Sequence, residues 1–272
     1  MQSEGDPSRA ALISFLSLQR DWGADEALFD DAQDRTKPAI VPSARAAVKS
    51  TRATILPLPP VSPVLEATTL AALRAALERF DHCALKRTAT QLVFADGSET
   101  ARIMLVGEAP GAEEDRAGLP FVGPAGQLLD RMLASIGLDR SAVRIVNVVP
   151  WRPPGNRAPS DTEIAQCLPF LHRHIALVRP QRLLLLGAIA VRALVGGKEG
   201  ITRVRGTWKT IEIPGLDTPV RALPTYHPAY LLRQPAAKRA AWSDLLTLRQ
   251  DCVEVGIMHD AAMRNTQPIT KS

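Results

Sequence analysis

The chain has little cysteine. Among 272 residues only Cys83, Cys167 and Cys252 are cysteines, and they lie far apart. An odd, sparse set excludes the disulfide framework of a small secreted domain. Long hydrophobic runs are also missing, since no apolar stretch approaches the ~18 residues that cross a bilayer. The opening Met-Gln-Ser-Glu-Gly-Asp lacks the basic start and small-residue cleavage site of a signal peptide. From these absences we expect a cytoplasmic protein with no membrane partner. Several catalytic signatures are absent as well. There is no Walker-type phosphate loop, no Gly-x-Gly-x-x-Gly fingerprint, no His-Glu-x-x-His pair and no Gly-x-Ser-x-Gly elbow.

What is present supports a real core. Hydrophobic residues make up 46% of the chain, enough for one α/β domain of about 200 residues plus extensions. The net charge is +5, and its placement is uneven. Residues 1–60 hold seven Lys/Arg against eight Asp/Glu, whereas residues 201–239 hold seven against two. The basic excess in the last third is either a polyanion-facing surface or a solvated basic face.

The pattern divides the chain. Residues 1–29 read as an N-terminal helical arm, with Leu12, Phe15 and Leu16 at helical spacing after Ser8. Residues 30–64 read as a Pro-rich flexible linker, carrying Pro38, Pro42, Pro57, Pro59, Pro60 and Pro63. The folded domain is expected over 65–256, and 257–272 as a disordered tail. Within the domain, Thr69 caps a helix bearing Leu70, Leu73, Leu77 and Phe80. A strand is expected at 91–94, with Asp96-Gly97 as a turn.

The centre of the domain is residues 102–130. Ile103 to Val106 form a short buried strand. Gly107, Pro110, Gly111, Gly118, Pro120, Gly123, Pro124 and Gly126 follow, a density that predicts no regular structure and a close backbone approach to a ligand. A helix resumes at Ala125. Further strands are expected at 144–149, 182–186 and 220–223. Helices are expected after Ser160, whose partner Glu163 completes a capping box, at 188–194 and at 236–255. Alternating strands and helices imply a parallel sheet covered on both faces.

Several side chains fall at the carboxyl ends of these strands, where α/β sheets place ligands. Glu108 is either a solvated loop acid or a pocket acid. Asn147 sits in an apolar strand, where its amide must bond backbone or read a ligand edge. Phe121 is core or a wall for a flat ring. His227 is structural or catalytic, and Pro228 after it sets a helix boundary. Tyr230-Leu-Leu-Arg-Gln-Pro235 reads as a loop with apolar side chains and a cation, the composition of a wedge entering a base stack.

Taken together, these stretches resemble the uracil-DNA glycosylase superfamily, most closely its family 4. The resemblance rests on Gly107-Glu-Ala-Pro-Gly111, Glu114-Asp115, Pro120-Phe-Val-Gly123, Gly126-Gln-Leu-Leu-Asp130, Asn147-Val-Val, Arg152-Pro-Pro-Gly-Asn-Arg157 and His227-Pro-Ala-Tyr-Leu-Leu-Arg233. It covers residues 83–250. It implies a three-layer α/β/α sandwich around a four-stranded parallel sheet. It implies hydrolysis of the bond between uracil and deoxyribose in single- or double-stranded DNA, the opening step of base excision repair. The target nucleotide is flipped into the pocket. By the same resemblance Glu108, Asn147 and His227 are catalytic, and Glu108, Ala109, Phe121, Asn147 and His227 bind the base. The DNA contacts expected are Asn156, Arg157, Arg203, Arg205, Tyr230, Leu231, Leu232 and Arg233. A monomer is expected.

Two departures stand out. The family carries a [4Fe–4S] cluster on four cysteines. Here the second and fourth positions are Cys83 and Cys167, but the first is Phe80 and the third Trp151. A cubane normally takes four ligands, so a cluster-free member with no cofactor is expected, the ligand site being filled by side chains. In another branch an Asp activates water from the position that Ala109 occupies, which leaves Glu108 to position water or stabilise the cationic sugar. A competing reading is a protein that binds uracil or abasic DNA without turnover. A related branch does trap DNA through a His on a basic insertion, but residues 148–166 have neither insertion nor His.

Overall fold

A computed structural model describes Val64, residues 66–197 and residues 199–258. The expected arm, the linker before Val64 and residues 259–272 of the expected tail lie outside the described residues. Val64 is buried, and Ile257 and Met258 rest against the core.

The strands are β1 Asp96–Gly97, β2 Ile103–Gly107, β3 Val143–Asn147, β4 Arg182–Leu186, β5 Lys209–Ile211 and β6 Val220–Thr225. The helices are α1 Leu70–Arg79, α2 Ala112–Ala117, α3 Pro124–Ser135, α4 Asp161–Val178, α5 Ala188–Leu194, α6 Ile201–Val204, α7 Pro228–Arg233 and α8 Lys238–Glu254. The sheet runs β1-β3-β2-β4-β6-β5. Its four central strands are parallel, as expected. The antiparallel edges β1 and β5 extend it to six.

Side chains along each central strand alternate between two cores, because the pleat turns successive residues to opposite faces. Met104, Val106, Leu183, Leu185 and Ala222 meet α1, α4 and α5. Ile103, Leu105, Leu184, Leu186 and Leu223 meet α3, α7 and α8. Strands apolar on both faces require this three-layer arrangement. Helix starts follow their caps. Thr69 accepts from Ala72 N, and Ser160 and Glu163 form the reciprocal capping box.

Four local expectations are corrected. Residues 91–94 form no strand, because Gln91 N is bound by the Asp115 carboxylate and Val93 N by the Pro150 carbonyl. Asp96-Gly97 is not a free turn but the short β1, paired with β3. The Gly/Pro-rich stretch after β2 does hold regular structure, the helix α2. Gly111 opens it, Gly118 closes it at φ 71°, and Glu113, Glu114 and Asp115 sit at its positive end. Tyr230 to Arg233 belong to α7 rather than to a loop. Proline at the first helical position sets the required φ, and His227 caps the turn.

Leu184 is fully buried in a central strand. Truncation to alanine leaves a cavity that close neighbours cannot fill, so Leu184→Ala should cost about 2–5 kcal/mol. Urea unfolding of parent and variant measures it. A loss below about 0.5 kcal/mol, the scale of a surface change, contradicts the two-core arrangement.

Candidate active site

β2, β3 and β6 all deliver their next residues to one edge of the sheet. β2 ends at Gly107, β3 at Asn147 opposite it, and β6 at Thr225 just before His227. A cavity of about 400 Å³ opens there. Glu108, Ala109, Phe121, Asn147 and His227 all line it, together with Glu114, Asn156, Arg157, Tyr230 and Arg233.

Gly107 makes the floor possible. A Cβ there would lie 2.4 Å from Asn147 Oδ1 and 2.5 Å from Phe121 Cζ. Asn147 is buried, and its Oδ1 is the one buried side-chain polar atom without a hydrogen-bond partner among the described residues. Such an atom costs about 1–3 kcal/mol unless something binds it. The next two residues continue along β2, with Val148 N on Gly107 O and Val149 N on Glu108 O.

Phe121 forms the wall, its ring 5.5 Å from the His227 ring and inclined by 30°. Its backbone is left-handed, with φ 56°. For a bulky residue this conformation costs on the order of 1–3 kcal/mol and persists only where neighbours impose it. Glu114 is one of those neighbours. Its carboxylate accepts from Gly111 N, Val122 N and Gly123 N. Arg140 is another, donating to the carbonyls of Pro120 and Phe121. Gly126 lets α3 approach, since a Cβ there would strike Phe121 O at 1.7 Å.

His227 caps α7. Its Nδ1 accepts from Ala229 N at 3.1 Å. Burial, with Arg233 nearby, pushes its pKa down to about 4 against the opposing pull of Glu114. The ring is therefore neutral at pH 7. With Nδ1 accepting, the proton sits on Nε2, the remaining donor. The Glu108 carboxylate makes no hydrogen bond among the described residues. Burial raises its pKa, while Arg192 and Arg233 hold the rise back. A half-buried carboxylate with a raised pKa beside an unpaired amide and a neutral imidazole is a site for general acid–base and hydrogen-bond chemistry.

The expected DNA contacts divide. Arg233 and Tyr230 stand at the rim, and Leu232 is exposed beside them. Arg157 reaches the rim while held by Glu163 at 2.7 and 2.8 Å, and that guanidinium keeps the Glu163 carboxyl near pKa 2. Asn156 also lines the rim, accepting from Arg152 Nε at 2.8 Å. Arg203 is exposed but does not line the cavity. Two residues face elsewhere. Leu231 is 1% exposed and sits in the core under α7. Arg205 lies over the Tyr226 ring and donates to Ala240 O and the buried Asp244 carboxylate. Sequence reasoning missed Arg140, the bridging role of Glu114 and the steric roles of Gly107 and Gly126. Only the glycines left a signal, as members of a dense Gly/Pro run.

The cluster-ligand positions lie away from this cavity. Cys83 and Cys167 are buried and unbridged. The Cys167 thiol donates to the Cys83 sulfur, which lowers the Cys83 pKa and, with burial, raises that of Cys167. Phe80 and Trp151 stack 6.4 Å apart at 13°, and Phe170 meets Phe80 edge-on at 4.8 Å. Among the described residues no group of three or more His, Cys, Asp or Glu could hold a metal ion. Two thiols and a stack of rings do not fit a cubane that asks for four thiolates.

Comparison with known proteins agrees with the geometry. The family model for the uracil DNA glycosylase superfamily matches residues 94–246. The chain is 41% identical over 173 residues to a type-4 uracil-DNA glycosylase of Pyrobaculum aerophilum, covering 62% of this chain and 87% of that one. Its counterpart in Archaeoglobus fulgidus is 40% identical over 174 residues, covering 62% and 86%. The one in Thermotoga maritima is 44% identical over 152 residues, covering 56% and 77%. The matched region holds every strand among the described residues and each residue named above as lining the cavity, and the chain belongs to the uracil DNA glycosylase superfamily.

Proposed function

We propose that this protein is a uracil-DNA glycosylase that releases uracil from DNA and leaves an abasic site, so starting base excision repair. The observation that carries the reading is the buried, unpaired Asn147 Oδ1 beside a cavity that Asn147, Phe121 and His227 line. A flipped uracil offers a flat ring for Phe121, an N3–H donor and O4 acceptor for the Asn147 amide, and O2 for His227 Nε2–H. As the C1′–N1 bond breaks, both electrons stay with the base. Negative charge gathers on O2, where a neutral Nε2–H donor stabilises it without first losing hydration. The sugar becomes an oxocarbenium ion and takes up water. In this reading Glu108, which lines the cavity, holds that water, accepts its proton and offsets the positive sugar. Asn156, Arg157 and Arg233 hold backbone phosphates at the rim, and Tyr230 and Leu232 fill the gap in the stack. Arg203 is a weaker phosphate contact in this scheme. Leu231 and Arg205 are left out of it, as they secure α7 and Asp244. The protein acts on DNA as a cytoplasmic monomer in this reading.

The reading includes loss of the family's iron–sulfur cluster. The Phe80–Trp151 stack and the Cys83–Cys167 pair support it, since packed rings leave little room for a cubane. Cys83 and Cys167 are then buried dithiols of the core.

Purified protein incubated with a labelled uracil oligonucleotide, then treated with alkali, should cut the strand at the uracil. An unbroken strand with tight uracil binding would instead favour a non-catalytic binder. His227→Ala should lower uracil release roughly a hundredfold or more, the scale of losing one oxyanion donor, with little loss of DNA affinity. Equal losses in both would make His227 a binding or folding residue.

The His227 ring should titrate near pH 4 in nitrogen-detected NMR and carry its proton on Nε2 at pH 7. An unfolded histidine titrates near 6.5, so between about 4 and 6.5 the unfolded chain binds the extra proton. The stability His227 contributes is therefore complete above about 6.5 and falls as the pH drops toward 4. A midpoint above 6 contradicts the buried, neutral donor.

Anaerobically purified protein should hold no cubane iron, show no absorbance near 410 nm and remain active. Trp151→Ala should destabilise the fold by about 3–5 kcal/mol, as for a large buried aromatic. Near-stoichiometric iron would overturn the cluster-free reading.

A further inference from the structure

We propose that Arg140, a residue outside the cavity, is a positioning residue for uracil recognition, and that it acts by fixing the Phe121 ring. The inference rests on Phe121 being the surface on which the base stacks.

Arg140 lies in the short turn that leads into β3 and does not line the cavity. Its guanidinium meets four acceptors. Nη1 bonds Pro120 O at 3.2 Å, and Nη2 bonds Phe121 O. Nε holds Asp130 on α3 at 2.7 Å, and Nη1 holds Asp96 on β1 at 2.7 Å. The two carboxylates fix the guanidinium, and the guanidinium fixes two successive carbonyls. Phe121 sits between that grip and the one Glu114 exerts on Val122 N and Gly123 N at 2.9 Å.

The grip matters because of what Phe121 would otherwise do. At φ 56° an aromatic residue is in the left-handed region, which L side chains avoid. Relaxing φ to a negative value swings the Cα–Cβ bond and carries the ring away from His227 and the Gly107 floor. Gly126 shows how tight the arrangement is, since even a methyl there would meet Phe121 O. A planar fork with five N–H donors satisfies acceptors in several directions at once. A lysine ammonium on a single-bonded stem does not.

This assigns a role that a plain surface ion pair would not have. Arg140 should matter for the base more than for the DNA. It should also matter only while a ring stands at position 121. The test compares the parent with Arg140→Lys, Phe121→Ala and the double variant. It uses a single-stranded uracil oligonucleotide and, separately, free uracil as inhibitor. Arg140→Lys should raise both KM and the uracil inhibition constant about tenfold or more, with a smaller change in kcat. A wall displaced by a fraction of an ångström produces losses of this order. Affinity for an abasic oligonucleotide should change little. In the Phe121→Ala background, Arg140→Lys should change kcat/KM less than about twofold, because coupled residues lose their effect together.

Losses that multiply in the double variant would overturn the proposal. So would an Arg140→Lys variant with unchanged KM and uracil inhibition. Asp130→Asn is the second probe should Arg140→Lys fail to fold. It loosens the guanidinium from one exposed side and should move the same two constants in the same direction, again only when Phe121 is present. A parent protein that binds free uracil but releases none from DNA defeats the catalytic reading alone. Uracil affinity of parent and Arg140→Lys by calorimetry then still decides the role of Arg140.

Discussion

Among the described residues one buried amide oxygen lacks a partner, and the site is built around it. Asn147 Oδ1 is held at the end of a central parallel strand, in an apolar setting where an unpaired acceptor is costly. The cost is tolerable in a binding site because the ligand removes it. A base that presents an N–H there gains a hydrogen bond already stripped of competing water. A base that presents an acceptor meets repulsion at a buried site, which is a strong form of discrimination. Gly107 keeps the space open, Phe121 closes it from one side, and His227 places a neutral donor across from it.

The rest of the domain keeps these groups still. Neither the wall nor the donor is in a relaxed loop. Phe121 is in a left-handed conformation held by Arg140, Glu114 and the bare face of Gly126. His227 is fixed through Nδ1 at the first turn of α7, and Leu231 anchors that helix to the lower core. Gly187 lies against His227, where a Cβ would come within 3.0 Å of the histidine Cβ. Asp115 ties α2 back to Thr90 and Gln91. The Phe121 and His227 segments thus take their conformations from contacts with neighbouring residues. Phe80, Trp151 and Phe170 pack together beside α1 and α4.

The sequence was most legible where a residue type has one use. Glycines and prolines after a short apolar strand marked the cavity, and Asn147 was conspicuous as an amide in a β-branched run. Thr69, Ser160 and Glu163 announced their helices through capping chemistry. Legibility failed where a residue acts through a partner distant in sequence. Arg140 meets carbonyls 19 and 20 residues away and a carboxylate 44 away, and no local pattern distinguishes it from a solvated arginine. Arg205 had the opposite fate. It looked like a phosphate contact within a basic stretch, yet its charge is spent on Asp244, 39 residues later. Leu231 differs from Leu232 by one residue and by a rotation of about 100° around α7. That sends one to the core and the other to solvent. The edges β1 and β5 are only two and three residues long, too short for any periodicity to declare.

The most direct test is a crystal structure with free uracil bound. The ring should lie face-on to Phe121, with N3–H on Asn147 Oδ1 at about 2.9 Å and O2 on His227 Nε2. Uracil bound elsewhere, or in this cavity with Asn147 Oδ1 still unpaired, would contradict the account.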